Sequence, residues 1–401
     1  MTNSETEQIT IPTMWRPPRL RRADDGQEHH ASWIELFFDL VFVVVIAELS
    51  HGLKENLSTR GFIEFAALFI PCWWAWVLFT FYADRFDTDD FVHRLLIMSG
   101  MLTIIFLGVN VHSAFEGGSV GFAVAYVLAR SIVLVLYARA ARHVPVARAN
   151  LKLYLASYVP STCLWLTSIV VPQPYRYVLW TIAMLIELSI PIIGSRFLVA
   201  TPSHPSHLPE RFGLFTLIVL GEAIVSVATA TANTNWQLSS TIAAVFGFAI
   251  AACLWWLYFN FLESSIVIRD IRSVHIYNYG HLPILMGLTL VAVGIEHTIL
   301  EVNQRFLPAA TRWALCGGLA LYLLTIIVIW VMACQRRVTW YSISMIIIAL
   351  GLAIIGKTLP PLVLEGVLLA MLIGKVSLEI IRSRRTASLL EEKPNGFNIR
   401  T

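Results

Sequence analysis

Twelve apolar runs, each about as long as a hydrocarbon core of roughly 30 Å demands, leave this chain few choices of fold. They cover 33–53, 62–83, 92–114, 119–138, 152–171, 177–195, 211–231, 239–262, 278–300, 312–333, 338–356 and 359–381, with short polar connections between most of them. A backbone in lipid must satisfy its own hydrogen bonds, so the pattern predicts an all-α integral membrane protein of about 12 transmembrane helices. Composition agrees: 57% of the 401 residues are hydrophobic and 14% charged, against roughly 25% charged in soluble domains.

The connections organise the chain. Residues 1–32 are polar, with Pro12, Pro17, Pro18 and a charged Arg-Arg-Ala-Asp-Asp stretch, and lack the apolar core of a secretory signal. They read as a disordered basic cytoplasmic tail. Residues 33–195 form a first group of six helices, 196–210 a Pro-, Ser- and His-rich cytoplasmic linker, 211–381 a second group of six, and 382–401 a second tail. Of the 29 Lys and Arg, 21 fall on one side of this arrangement, 6 on the other, and Arg130 and Lys375 within spans. That bias places both termini in the cytoplasm.

The two groups resemble each other in order. In the second spans Trp76, Phe79 and Phe81 align with Trp256, Phe259 and Phe261; in the third, His93 aligns with His281; in the first, Glu35 and Glu210 lead Phe37 and Phe212. Six spans per group is an even number, so the expectation is two parallel six-helix repeats.

Embedded charges are the candidates for chemistry, because an ionised residue in a spanning helix normally faces a partner or a water-filled cavity. The run WIELFFDLVFVVVIAELS carries Glu35, Asp39 and Glu48. Glu35 and Asp39 share a helical face, with Glu35 expected in interfacial water and Glu48 near the outer end beside His51. The seventh span, HLPERFGLFTLIVLGEAIVSVATAT, carries Arg211, Glu222 and Ser226. Arg211 and Glu222 lie near one stripe about three turns apart, so they line a polar track or, on the blander reading, Arg211 snorkels to the interface. Arg130 needs an acid, and Asp39 and Glu222 are the first candidates. Glu296, His297 and Glu365 read as outer residues solvated by headgroups or water.

Other chemistry finds little support. Cys72, Cys163, Cys253, Cys316 and Cys334 contain no C-x-x-C pair, so neither a disulfide framework nor a zinc site is suggested. His204 and His207 are read as exposed and too Pro-interrupted for a metal pair. The acidic loop Asp84, Asp87, Asp89 and Asp90 lacks a calcium-loop pattern and reads as a solvated turn. No G-x-S-x-G, H-E-x-x-H or phosphate-cradling loop is present, so the expectation is no enzyme, no cofactor and no metal. Basic residues flank apolar runs without interleaved aromatics, which argues against nucleic acid. The expected partners are the bilayer and an ion or small solute, with a homo-oligomer left open.

The segments SWIELFFDLVFVVVIAELS and PERFGLFTLIVLGEAIVSV together closely resemble the bacterial low-temperature-requirement protein A family, over about Ala31 to Ile381. The matching motif residues are Glu35, Phe38, Asp39 and Phe42, then Glu210, Arg211, Phe212, Gly221 and Glu222. The resemblance implies a multi-pass protein of the bacterial inner membrane, linked by name to growth in the cold, without a settled substrate. FFDLVF is also similar to the Phe-Ser-Asp motif of lysosomal two-repeat potassium and proton channels, although Phe38 replaces the Ser and Phe215-Thr216 stands where a second motif belongs.

Two functional readings follow. In one, the protein is a transporter or channel in which Asp39 and Glu222 act as equivalent acids along a path between the two groups, with Arg130, Arg211, Glu35, Glu48 and Ser226 as further candidates. In the other it does not transport, and supports or senses bilayer state in the cold through structural salt bridges. A lipid-modifying intramembrane enzyme is a third reading with no motif behind it.

Overall fold

A computed structural model describes residues 14–21, 32–194, 207–262, 271–333 and 338–391. Most of the linker 196–210, much of both tails, His204 and Cys334 lie outside the described residues. Among those described, 12 helices are long and apolar enough to cross a membrane. The protein is thus an all-α, multi-pass membrane protein, and the expected spans are matched one for one.

The helices are α1 (Trp33–Glu55), α2 (Thr59–Arg85), α3 (Phe91–Val109), α4 (Ser119–His143), α5 (Arg148–Val170), α6 (Tyr175–Ile193), α7 (His207–Asn233), α8 (Leu238–Trp256), α9 (Ile271–Leu300), α10 (Ala309–Met332), α11 (Trp340–Ile355) and α12 (Pro361–Glu391). Helix α7 begins inside the segment read as linker, with Pro209 in its first turn, where a missing N–H costs nothing. Helix α10 passes through a π turn at Trp313–Gly317, and α8 runs into another at Leu257–Leu262.

The chain groups into two compact units. The first comprises residues 1–52 and 64–214, the second 53–63 and 215–401.

In the first unit α3, α4, α5 and α6 pack in sequence order. Their core is aromatic: Tyr126 lies 4.2 Å from Trp165, which stacks on Trp180 at 5.3 Å between ring centroids. A two-residue strand β1 (Arg19–Leu20) pairs antiparallel with β2 (Phe86–Asp87) beyond the end of α2. Residues 14–21 therefore depart from the expected disordered tail. They are held by groups far away in sequence: the Arg16 N–H donates to Asp90, the Arg21 N–H to the Arg85 carbonyl, and Trp15 packs on His143.

In the second unit α9 lies along α10, and α8 along α12. Close approach needs small residues. A Cβ on Gly294 would stand 2.6 Å from the Leu315 backbone, and one on Gly287 would stand 2.8 Å from the Gly318 carbonyl. Apolar side chains such as Leu40, Leu102, Val109, Val245 and Ile347 are more than half exposed, as a surface turned to lipid tails requires.

Candidate functional site

The best-defined polar cluster of the first unit is built on α1, α2 and the opening turns of α7. Glu35 and Asp39, four residues apart on α1, point the same way. The Arg211 guanidinium spans them: Nη1 donates to Glu35 Oε2 at 2.9 Å and Nη2 to Asp39 Oδ1 at 2.6 Å. Arg211 is 1% exposed and Asp39 2%, so the pair is removed from water on all sides. The Trp76 indole N–H donates to the same Asp39 oxygen at 2.7 Å, and Arg211 Nη2 lies 3.5 Å from Thr80 Oγ1. Trp76 and Thr80 sit one turn apart on α2, which presents both to α1.

His207, one turn before Arg211 on α7, extends the cluster. Its Nε2 lies 2.9 Å from Glu35 Oε2 and its Nδ1 3.3 Å from Asp84 Oδ1. Each ring nitrogen thus faces a carboxylate, and the ring donates to one or both according to how many protons it carries. Arg21 Nη2 closes the rim on Glu35 Oε1 at 3.3 Å. Three acids therefore meet two Arg and one His. The cluster is incomplete: neither Asp39 Oδ2 nor Arg211 Nε has a hydrogen-bond partner among the described residues.

Four expectations are corrected here. Glu35 is not left to interfacial water but is 9% exposed beneath Arg21, Arg211 and His207. Arg211 does not snorkel. His207 is fully buried instead of exposed, because α7 starts early enough to carry it inward. The acidic loop is only partly solvated: Asp87 and Asp89 are exposed, whereas Asp84 meets His207 and Asp90 is enclosed.

Asp90 caps α3 by accepting from the His93 N–H at 2.8 Å, and it takes the Arg139 guanidinium of α4 and the Arg16 N–H. Enclosure opposes its ionisation, but the bonds from Arg139, Arg16 and His93 outweigh that and hold the carboxyl below the usual aspartate range. Outside, the bidentate Arg94 salt bridge lowers Asp89 in the same direction.

Arg130 meets neither Asp39 nor Glu222. It points from α4 toward α6, with Nη2 3.6 Å from Glu187 Oε2 and its guanidinium 3.8 Å over the Tyr158 ring. The Tyr126 hydroxyl donates to the same Glu187 oxygen at 2.8 Å. The physical reason is adjacency: α4, α5 and α6 pack together, so the acid on α6 is at hand.

In the second unit Lys54 Nζ bridges Glu222 Oε1 at 2.8 Å and Glu296 Oε2 at 2.7 Å. The single stripe proposed for Arg211 and Glu222 therefore serves two separate sets of partners. Ser226, one turn beyond Glu222, is fully buried, with no hydrogen-bond partner for its hydroxyl among the described residues. Glu48 is half-buried and takes part in neither cluster. Glu365, expected in headgroups or water, is 0% exposed. No group of three His, Cys, Asp or Glu among the described residues is arranged to hold a metal.

Sequence reasoning missed Lys54, Trp76, His207, Asp84 and Glu187 as partners. Two had a signal: Trp76 its match to Trp256 in the repeat alignment, and Glu187 its charge inside the apolar run 177–195.

The chain is similar to an uncharacterized protein of Rhizobium meliloti (strain 1021), RA0937, at 30% identity over 301 residues, covering 71% of this chain and 73% of the relative. Residues 30–376 match the family described as bacterial low temperature requirement A protein (LtrA), a stretch that holds both clusters apart from Arg21 and eleven of the twelve helices in full. The chain belongs to the LtrA family of membrane proteins.

Proposed function

We propose that this protein is a transporter or channel for an ion or small solute in the bacterial cytoplasmic membrane. The observation that carries the reading is the Asp39 carboxylate. One oxygen is shared by Arg211 and Trp76 while the other accepts no hydrogen bond among the described residues, although the group is buried. A site built only for stability would be expected to use both oxygens, since a half-satisfied buried polar group is costly. His207, set between Glu35 and Asp84, adds a group able to pass a proton from one ring nitrogen to the other. The reading is non-enzymatic, in keeping with a sequence that carries no nucleophile or metal-hydrolase motif.

Purified protein reconstituted in liposomes tests it. A proton, potassium or sodium flux is expected, and Asp39→Asn abolishes it while leaving the protein folded. Absence of flux for every ion and common solute tried refutes the reading.

A second reading, a non-transporting protein that supports the membrane in the cold, is favoured by the Arg130–Glu187 pair. There the acid and the base face each other at 3.6 Å, with the Tyr126 hydroxyl donating to Glu187 and the Tyr158 ring under the Arg130 guanidinium, contacts that tie α4, α5 and α6 together. Under it, reversing the pair (Arg130→Glu with Glu187→Arg) restores folding and growth in the cold together. Single neutralisations that leave a stable but inactive protein count against it. A changed lipid profile in a deletion strain would instead point to lipid chemistry.

A further inference from the structure

Glu365 stands apart from the other enclosed acids of the second unit among the described residues. It occupies the second turn of α12, is fully enclosed, and neither Oε1 nor Oε2 has a hydrogen-bond partner among the described residues. The other buried acids described there each have a cation: Glu222 shares Lys54 with the half-buried Glu296, and Glu379 lies 3.5 Å from Lys375.

The surroundings of Glu365 are aliphatic. Helix α12 lies along α8, and Gly247 of α8 faces the carboxyl. A Cβ on Gly247 would stand 3.4 Å from Glu365 Oε1, 3.4 Å from Val227 Cγ2 of α7 and 2.4 Å from Ile295 Cγ2 of α9. Leu364 and Leu368 beside it are also fully buried.

The charged and titratable groups on the neighbouring elements are accounted for. Helix α8 itself contributes Cys253 alone. Helix α7 contributes Glu222 and the adjoining turns of α9 contribute Glu296 and His297; Lys54 is taken by the two acids, and His297 faces Glu301. Near the start of α12, Arg312 donates to the Leu307 and Ala353 carbonyls, and Lys357 is exposed. On α11, Tyr341 bonds Glu379.

An ionised carboxylate enclosed without a partner is among the costliest arrangements a protein can hold. A metal cation would need several further oxygen ligands, yet no group of three His, Cys, Asp or Glu among the described residues is arranged to hold one, and neither oxygen of this carboxyl has a hydrogen-bond partner there. The ligand that neutralises the group and needs no other donor is a proton. We propose that Glu365 is a membrane-embedded proton-binding site. The site deepens the transport reading and rests on it in one respect: it names the proton as the ion carried or coupled. On release, the carboxyl O–H bond breaks and the proton passes to water or to a neighbouring carboxylate, leaving Glu365 as the anion.

Dicyclohexylcarbodiimide, an apolar reagent that adds to un-ionised carboxyl groups, tests this on the full-length protein in detergent or liposomes. Mass spectrometry is expected to find the adduct on the peptide carrying Glu365, diminishing as the pH is raised and absent in Glu365→Gln. A readout independent of the reagent is stability: Glu365→Gln and Glu365→Leu keep the unfolding temperature or raise it, because no cation is left behind. Failure of Glu365 to react, or a loss of stability in both variants like that of Glu222→Gln, overturns the proposal.

Flux separates this outcome from the broader reading. Adduct formation that stops a proton flux, with the same flux lost in Glu365→Gln, supports both. A flux in liposomes from a protein whose Glu365 never reacts overturns the proton site and leaves transport standing. An adduct on Glu365 in a protein that carries nothing supports the site and removes transport.

Discussion

Arg211 on α7 and Asp39 on α1 meet at 2.6 Å although 172 residues separate them in sequence, and Glu35 shares the same guanidinium. Removing one member of a buried pair strands the others. Arg211→Met is therefore expected to lower stability by about 3–5 kcal/mol. Adding Asp39→Leu to it recovers a substantial part, because one stranded acid is gone. Thermal or denaturant unfolding of the two single variants and the double in detergent measures the coupling.

The Arg130–Glu187 pair behaves differently under the two functional readings. Glu187→Leu leaves the buried Arg130 over the Tyr158 ring without its acid, and is expected to cost about 3–5 kcal/mol. Arg130→Met combined with Glu187→Leu returns most of that. If the pair is structural, the double variant also keeps any flux measured for the wild type, whereas Asp39→Asn does not.

Asp90 predicts a pH dependence with a definite sign. Its folded carboxyl is held below the usual aspartate range, so the contribution is present above the unfolded value of about 3.9 and is lost as pH falls through the lower folded value. Stability from this group is thus level through neutral and mildly acid pH and declines only below the ordinary aspartate range. Asp90→Asn keeps a capping side chain but gives up the charge-assisted bonds from Arg139, for about 1–3 kcal/mol at neutral pH. Its unfolding temperature falls less steeply on acidification than that of the wild type.

Two glycine substitutions should move stability in opposite directions. At Gly294 the added methyl meets the Leu315 backbone at 2.6 Å, which cannot swing aside, so Gly294→Ala separates α9 from α10 and costs about 1–3 kcal/mol. At Gly351 in α11 nothing lies within 4 Å, and Gly351→Ala gains up to about 1 kcal/mol from helix propensity. Unfolding temperatures of both variants, measured side by side, check the contrast.

Length and hydropathy are local properties, which is why all twelve spans, the all-α class and the family were legible in the sequence alone. That Glu35, Asp39, Arg211 and Glu222 need partners was legible for a related reason: a charge inside an apolar run demands an explanation wherever the helix lands. Their partners were not, because these depend on which helices become neighbours and how each is rotated about its axis. Helices polar on more than one face give no periodicity from which to read that rotation. Arg130 was offered Asp39 or Glu222 but found Glu187 on α6, and Lys54, counted only as an outer charge, bridges two acids. Depth within a span misled at Glu35 and Glu365, both near a helix end and both enclosed by other helices. Position along the chain sets how near a residue lies to the membrane surface; packing alone decides whether water reaches it.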